Sequence, residues 1–219
     1  MTKKISVLFV MFILIAGYTQ AQFKVGVKAG FNLTNISQKF DGEKPDSEDR
    51  GKFKPGFQVG LIGEYSISDV FAIQPGIVFA TQGTKFKDDE EDYKATMNLN
   101  YIQIPINAQY KMDLGVAKLL LQAGPYLGYG IGGKNKAKGT IEGLSVSIEN
   151  KIKFGKGDED DLTTYIPNAF DFGLGLGAGL QFGNIQAVLG YNIGLANMTD
   201  EDDYSMKNNG LAFTIAYLF

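Results

Sequence analysis

The sequence predicts an all-β chain closing into an eight-stranded antiparallel up-and-down transmembrane β-barrel. Three observations predict it. Eight separated segments alternate with period two, their second face is small and polar, and the connections alternate between short and long. In an extended strand successive side chains point to opposite sides, so sorting each segment by parity separates its two faces.

In the first segment Phe23, Val25, Val27, Ala29 and Phe31 oppose Lys24, Gly26, Lys28 and Gly30. In the second, Phe57, Val59, Leu61, Tyr65 and Ile67 oppose Gln58, Gly60, Ile62, Glu64 and Ser66. The third sets Phe71, Ile73, Ile77 and Phe79 against Ala72, Gln74, Gly76 and Gln82, and the fourth sets Ile102, Ile104, Ile106, Ala108 and Tyr110 against Tyr101, Gln103, Asn107 and Gln109. The fifth runs from Leu119 to Ile131 over a Gln122, Gly124, Tyr126, Gly128 and Gly130 face. In the sixth, Phe170 to Phe182, Asp171, Gly173, Gly175, Gly177, Gly179 and Gln181 form the small face. The seventh, Ile185 to Leu195, and the last, Leu211 to Phe219, repeat the pattern.

Alternation alone also fits a soluble barrel with a wet polar face. The choice rests on three features. The second face is dominated by glycine, alanine and glutamine, which suits the narrow interior of eight closed strands. Aromatics such as Phe23, Tyr65, Phe71, Tyr110, Phe170 and Phe182 fall near segment ends, where interfacial girdles place them. The chain also ends in Tyr217-Leu218-Phe219, and Phe219 resembles the terminal aromatic that barrel-assembly machinery reads. Prolines oppose the assignment locally, because proline has no ladder donor and a closed barrel has no edges. Pro55 and Pro167 are expected at strand starts near a rim; Pro75, Pro105 and Pro125 are expected at bulges.

The connections are long through Ser37–Lys52, tight at Ser68-Asp69, longer over Lys87–Ala95, and short over Lys111–Val116. They are longest over Gly133–Thr164, tight at Gly183-Asn184, and long again over Asn197–Lys207. Short turns on one side and long loops on the other are the outer-membrane pattern, with both termini periplasmic and the long loops extracellular. Weak alternation inside the longest connection, from Thr140 to Phe154, predicts a hairpin projecting beyond the membrane.

Residues 1–21 read as a cleaved signal peptide, and 22–219 as the barrel domain. Lys3 and Lys4 precede an apolar run from Ile5 to Ala16, and Thr19 and Ala21 stand at −3 and −1 of a cleavage site. That run is shorter than the ~20 residues of a spanning helix.

The chain has no cysteine and no histidine. Disulfides, thiolate metal sites, thiol nucleophiles and histidine-based triads are therefore excluded. No enzyme activity and no cofactor are expected. A formal net charge of −3 gives no reason to expect nucleic acid as a partner.

Each long loop carries an acidic cluster, among them Asp88, Asp89 and Glu90; Asp158 and Asp160; and Asp200 and Asp202. Carboxylates suit hard divalent cations, which could bridge the rim to lipopolysaccharide; like charge that keeps loops solvated is the plainer reading. The inward face offers Lys24, Lys28, Glu64 and Asp171. Bare charges in a lumen are costly, so a Lys28–Glu64–Asp171 network plugging the barrel is expected. The period-two glycines Gly173 to Gly179 match a strand face and not a phosphate loop.

Several stretches resemble one family. Phe23-Lys24-Val25-Gly26-Val27-Lys28-Ala29-Gly30-Phe31-Asn32 looks like the opening strand of the Bacteroidetes outer-membrane β-barrel domain proteins, the PorT-like group. Tyr101-Ile102-Gln103-Ile104-Pro105-Ile106 resembles its "Y-L-E-I-P" strand, with Gln103 where an acid is usual. Asp171-Phe172-Gly173 with Gly175 to Gly179, and Tyr191-Asn192-Ile193-Gly194-Leu195, resemble its later strands. The resemblance implies fold and location. The expected role is structural or interactive, through the acidic outer loops of a monomeric barrel. The alternatives are an accessory part in protein secretion, a small-solute pore, and a soluble lipocalin-like ligand-binding barrel.

Overall fold

A computed structural model describes residues 22–41, 43, 51–88, 93–141, 144–157, 163–201 and 203–219. The proposed signal segment lies outside them. Among the described residues the strands are β1 (Phe23–Phe40), β2 (Lys52–Ser66), β3 (Phe71–Asp88), β4 (Tyr93–Asp113), β5 (Lys118–Ile141), β6 (Leu144–Phe154), β7 (Thr164–Ile166), β8 (Phe170–Phe182), β9 (Ile185–Gly194) and β10 (Tyr204–Leu218). β1 to β5 pair in sequence, β5 also pairs with β8, and β8, β9 and β10 lead back to β1. Eight strands thus form a closed antiparallel up-and-down ring, and closure leaves no edge within it.

Which face points outward follows from burial. Leu61, Ile77, Leu127, Leu176, Leu189 and Ile215 are exposed, while Gln58, Gln74, Gln103, Asn107, Gln109, Gln181 and Gln186 are buried. An apolar exterior around a polar interior reverses the polarity of a soluble ligand-binding barrel. Aromatic pairs mark both ends of the apolar band. Phe71–Tyr110 and Tyr217–Phe219, each with ring centroids 5.2 Å apart, lie at the rim holding the termini. Phe57–Phe79 and Tyr129–Phe170 lie toward the long-loop rim. The 13 residues of β8 run from one girdle to the other. At ~3.4 Å per residue and a ~40° tilt they span roughly 30 Å, which fits a membrane barrel's apolar band with its girdles.

The inward glycines let the ring close tightly. A Cβ on Gly124 would run into the Ile106 carbonyl oxygen and the Asn107 Cα, and one on Gly179 into the backbone of Ala187 and Val188. At the tight β8–β9 turn Gly183 has φ 55° and Asn184 is not left-handed. That is the hairpin geometry with glycine at the first central position.

The prolines correct the bulge expectation. Pro75, Pro105 and Pro125 sit in unbroken register: pairing is suspended beside each and resumes with the same offset. A residue's N–H serves only one neighbouring strand, so each proline loses a bond on one side alone. Small neighbours make room for two of the rings, with Pro75 against Gly63 and Pro105 against Gly76. The register shifts lie elsewhere, at Phe53/Gln58 around Pro55, and at Asn100/Tyr101. Pro55 is inside β2, not at its start.

Several strands also run past the ends that hydropathy suggests. β3 and β4 remain paired to Asp88↔Tyr93, and β1 pairs with β10 out to Phe40↔Tyr204. Beyond the apolar band the two faces no longer need opposite polarity, so the period fades while the backbone ladder continues. The projecting hairpin is present: β5 and β6 pair from Gly133↔Ile152 to Ile141↔Leu144, and β7 adds to β6 in parallel.

Candidate functional site in the barrel lumen

The lumen is a stack of side-chain layers. At the terminal rim an open vestibule of about 340 Å³ is lined by Lys24, Asp113, Lys118, Gln181 and Asn184. Above it, Glu64 from β2 forms an ion pair with Lys111 from β4, with side chains 3% and 8% exposed. Glu64 also accepts from Gln186 at 2.7 Å and from Gln74 at 3.4 Å. Gln74 donates to Gln186 at 2.9 Å, and Gln186 donates to Gln181 at 3.1 Å. This network spans the lumen from β2 to β9 and closes it.

The expected Lys28–Glu64–Asp171 network is therefore not formed. Glu64 takes its cation from Lys111. Asp171 instead accepts from Asn208 at 3.1 Å and Tyr126 at 3.4 Å, farther toward the loop rim. Lys28 joins neither carboxylate, and Lys24 faces the vestibule. The reason is height. Lys28 pairs across the strands with Gly60 and Ala216, two repeats of the pleat away from Glu64, whose register partner is Lys24. Lys111 carries a readable signal, since it extends the inward odd-numbered series Tyr101, Gln103, Asn107 and Gln109 by one position. Asn208 likewise extends the inward even series of β10. Both are hidden when polar residues are taken to end a strand.

The middle of the lumen holds two small polar cavities. One of about 40 Å³ is lined by Lys28, Gln58, Asn107, Gln122, Asn192 and Thr214, among others. The next, of about 10 Å³, is bounded by Asn32, Gln82, Gln103, Tyr126 and Asn208. Gln82 Oε1, Gln103 Nε2 and Asn208 Oδ1 there have no hydrogen-bond partner among the described residues, and the space suits one bridging water.

The loop end is sealed by a different chemistry. Ile36, Leu99, Tyr101, Ile152, Ile166 and Met198 form a buried apolar cluster, with Met97, Phe154 and Met206 packed on it. Phe154 crosses edge-on to Tyr101, centroids 5.6 Å apart, and its ring occupies the space a Cβ on Gly130 would need. The Tyr101 hydroxyl faces the polar layer, within 3.3 Å of Asn208 Nδ2. β6, β7 and the segment after β9 thus fold over the loop end as a lid.

Among the described residues no group of three or more acidic side chains is gathered to hold a metal ion. Asp89, Glu90, Asp158, Asp160 and Asp202 lie outside the described residues. Of the acidic rim, Asp41 donates its backbone N–H to the Asp203 carbonyl at 2.8 Å, tying the first long loop to the last.

On the projecting hairpin Glu149 pairs with Lys134 at 2.7 Å and Lys136 at 3.4 Å. Hydrogen bonding and charge from Lys134, then from Lys136, hold its carboxyl below the ordinary carboxylate value. A depressed carboxylate stabilises above its unfolded pKa, and the contribution disappears as pH falls through the folded value. The group is solvent-exposed, so the effect stays local. Glu149→Gln is expected to leave barrel unfolding unchanged while speeding amide exchange in β6 at neutral pH. The difference from wild type should vanish in acid or high salt, and hydrogen-exchange mass spectrometry checks it.

A closed ring with an apolar outside, two aromatic girdles and a packed polar inside defines a membrane-spanning β-barrel. The chain belongs to the outer membrane protein beta-barrel domain family, whose model matches residues 19–200, and it is an outer-membrane protein on that account. No curated protein sequence matches it. Similar solved structures include Neisserial surface protein A, at 16% identity and TM-score 0.43 over 90% of this chain and 97% of that one. The Yersinia pestis attachment invasion locus protein Ail, solved with the heparin analogue sucrose octasulfate, is 17% identical with TM-score 0.40 over 90% and 99%. OprG from Pseudomonas aeruginosa is 10% identical with TM-score 0.47 over 90% and 96%.

Proposed function

We propose that this protein is a non-conducting, non-enzymatic outer-membrane barrel whose role is structural or interactive and is exercised at its long-loop rim. One observation carries the reading: the lumen is blocked twice, by the Glu64–Lys111 network near one end and by the apolar lid at the other. Between the blocks the described residues line two small cavities, of about 10 and 40 Å³. A pore needs a continuous wet path, and eight strands leave little space for one.

The reading places the termini and short turns in the periplasm. The β4–β5–β6 extension and the acidic loops then face outward, where Leu144, Val146 and Ile148 are exposed on the projecting hairpin. Residues 1–21 act as the cleaved export signal, and Phe219 as the terminal aromatic read during assembly. Divalent cations held between the acidic loops and lipopolysaccharide would anchor the rim. The strand motifs at Phe23–Asn32 and Tyr101–Ile106 support placement in the PorT-like group.

The test is planar-bilayer recording on protein that passes the heat-shift assay for a closed barrel. Heat-modifiable protein is expected to insert without discrete current steps. A steady unitary conductance from that same material would sink the reading and favour a small-solute pore.

A further inference from the structure

We propose that the cavity beside Lys28 is a binding site for one small monovalent anion of halide size. The inference is independent of whether the barrel conducts.

Among the described residues five formally charged side chains reach the closed part of the lumen: Lys28, Lys54, Glu64, Lys111 and Asp171. Lys111 and Glu64 neutralise each other. Lys54 directs its ammonium at the Pro55 and Gln82 carbonyl oxygens, at 3.3 and 3.5 Å. Asp171 is held by Asn208 and Tyr126. Lys28 alone of the five has neither an ion pair nor a hydrogen bond among the described residues. Its cross-strand neighbours, Gly60 and Ala216, have no side-chain acceptor to offer. An ammonium inside a barrel is disfavoured unless something compensates it.

The walls around Lys28 suit an anion. No carboxylate lines the cavity. Asn107 and Asn192 make no hydrogen bond of their own among the described residues, so both amide groups are free to turn their N–H donors inward. Gln122 uses its carbonyl oxygen to accept from Gln109, which leaves its amide nitrogen to donate. One cation with three amides that each have an N–H to give is a donor-rich shell of net charge +1, while Gln58, whose amide nitrogen donates to Asn32 at 2.8 Å, leaves one carbonyl oxygen on the same wall. The volume of about 40 Å³ exceeds the ~10–15 Å³ one water requires, so a halide fits with little of its hydration shell. The Glu64–Lys111 layer below and the Gln82–Gln103–Asn208 layer above bracket the site. An anion captured as the barrel closes is therefore expected to exchange slowly.

Bromide is the probe. The protein is refolded in sodium bromide, crystallised, and measured at the bromine absorption edge. A single anomalous peak inside the Lys28–Asn107–Asn192 cavity is expected for wild type, and none for Lys28→Met. A wild-type cavity without bromine signal overturns the proposal, as does a peak that persists in Lys28→Met. Should Lys28→Met fail the heat-shift assay for a closed barrel, a second measurement on wild type alone decides. Ligand linkage makes thermal unfolding rise with the concentration of an anion that binds only the folded state. Unfolding temperature is expected to rise with chloride or bromide relative to gluconate, which is too large to enter, at equal ionic strength. Equal unfolding temperatures in the halides and gluconate would overturn the site.

Discussion

Lys111→Met is expected to destabilise the folded barrel by about 3–5 kcal/mol, the usual effect of removing one partner from a buried ion pair. The loss comes less from the pair's attraction than from what remains. Glu64, 2% exposed, keeps its hydrogen bonds from Gln74 and Gln186 but loses its ion-pair partner, and Lys24 opposite it lines the open vestibule. Lys28 does not rescue it, because Lys28 stands at another height on β1. The double variant Lys111→Met/Glu64→Gln is expected to recover most of the loss, since a neutral amide can stay within the glutamine network. Equilibrium urea unfolding in lipid vesicles, followed by the gel shift between folded and unfolded forms, measures both. A single variant within about 1 kcal/mol of wild type would show that the ion pair does not hold this layer.

Leu176→Arg is expected to cost roughly 2–4 kcal/mol, the range for a cation on the lipid face at the bilayer midplane. Leu176 is at the centre of β8, points outward and is 57% exposed. It pairs with Ala123 and Tyr191, both within the apolar band. The same substitution at Phe182, at the girdle of the same strand, is expected to cost about 0–1 kcal/mol, because the side chain there reaches water. That depth dependence separates a membrane barrel from a soluble one. On a soluble barrel both exposed positions would tolerate arginine equally, and equal effects at Leu176 and Phe182 would overturn the lipid-facing assignment.

The distance from reading to structure differs residue by residue. The parity of Phe57, Val59 and Leu61 against Gln58 and Gly60 is a local property, and it sorts inside from outside without any tertiary information. Lys111, Lys54 and Asn208 continue that same parity. They are lost only when a polar residue is taken to end a strand, which is a habit suited to soluble sheets and wrong for a barrel that rises above its bilayer. The prolines mislead for the opposite reason. A one-dimensional rule demands a bulge at Pro75, Pro105 and Pro125, but each ring is accommodated by dropping pairing on one side of its strand, and Gly63 and Gly76 make room for two of them.

The sequence by itself determined the all-β class, the ring of eight, the alternation of short and long connections, and which face meets lipid. The strands and connections follow from a period of two and from turn chemistry within a few residues, and the lipid-facing side from the small second face and the aromatics at segment ends. Only the tertiary structure decided the contents of the lumen. Pairing Glu64 with Lys111 and leaving Lys28 uncompensated depends on stagger around the closed ring, where one residue of register changes height by ~3.4 Å along the strand. The apolar lid draws Ile36, Leu99, Ile152, Ile166 and Met198 from five separate stretches of chain. No periodicity in any one stretch encodes their meeting, because it is closure of the barrel that brings them together.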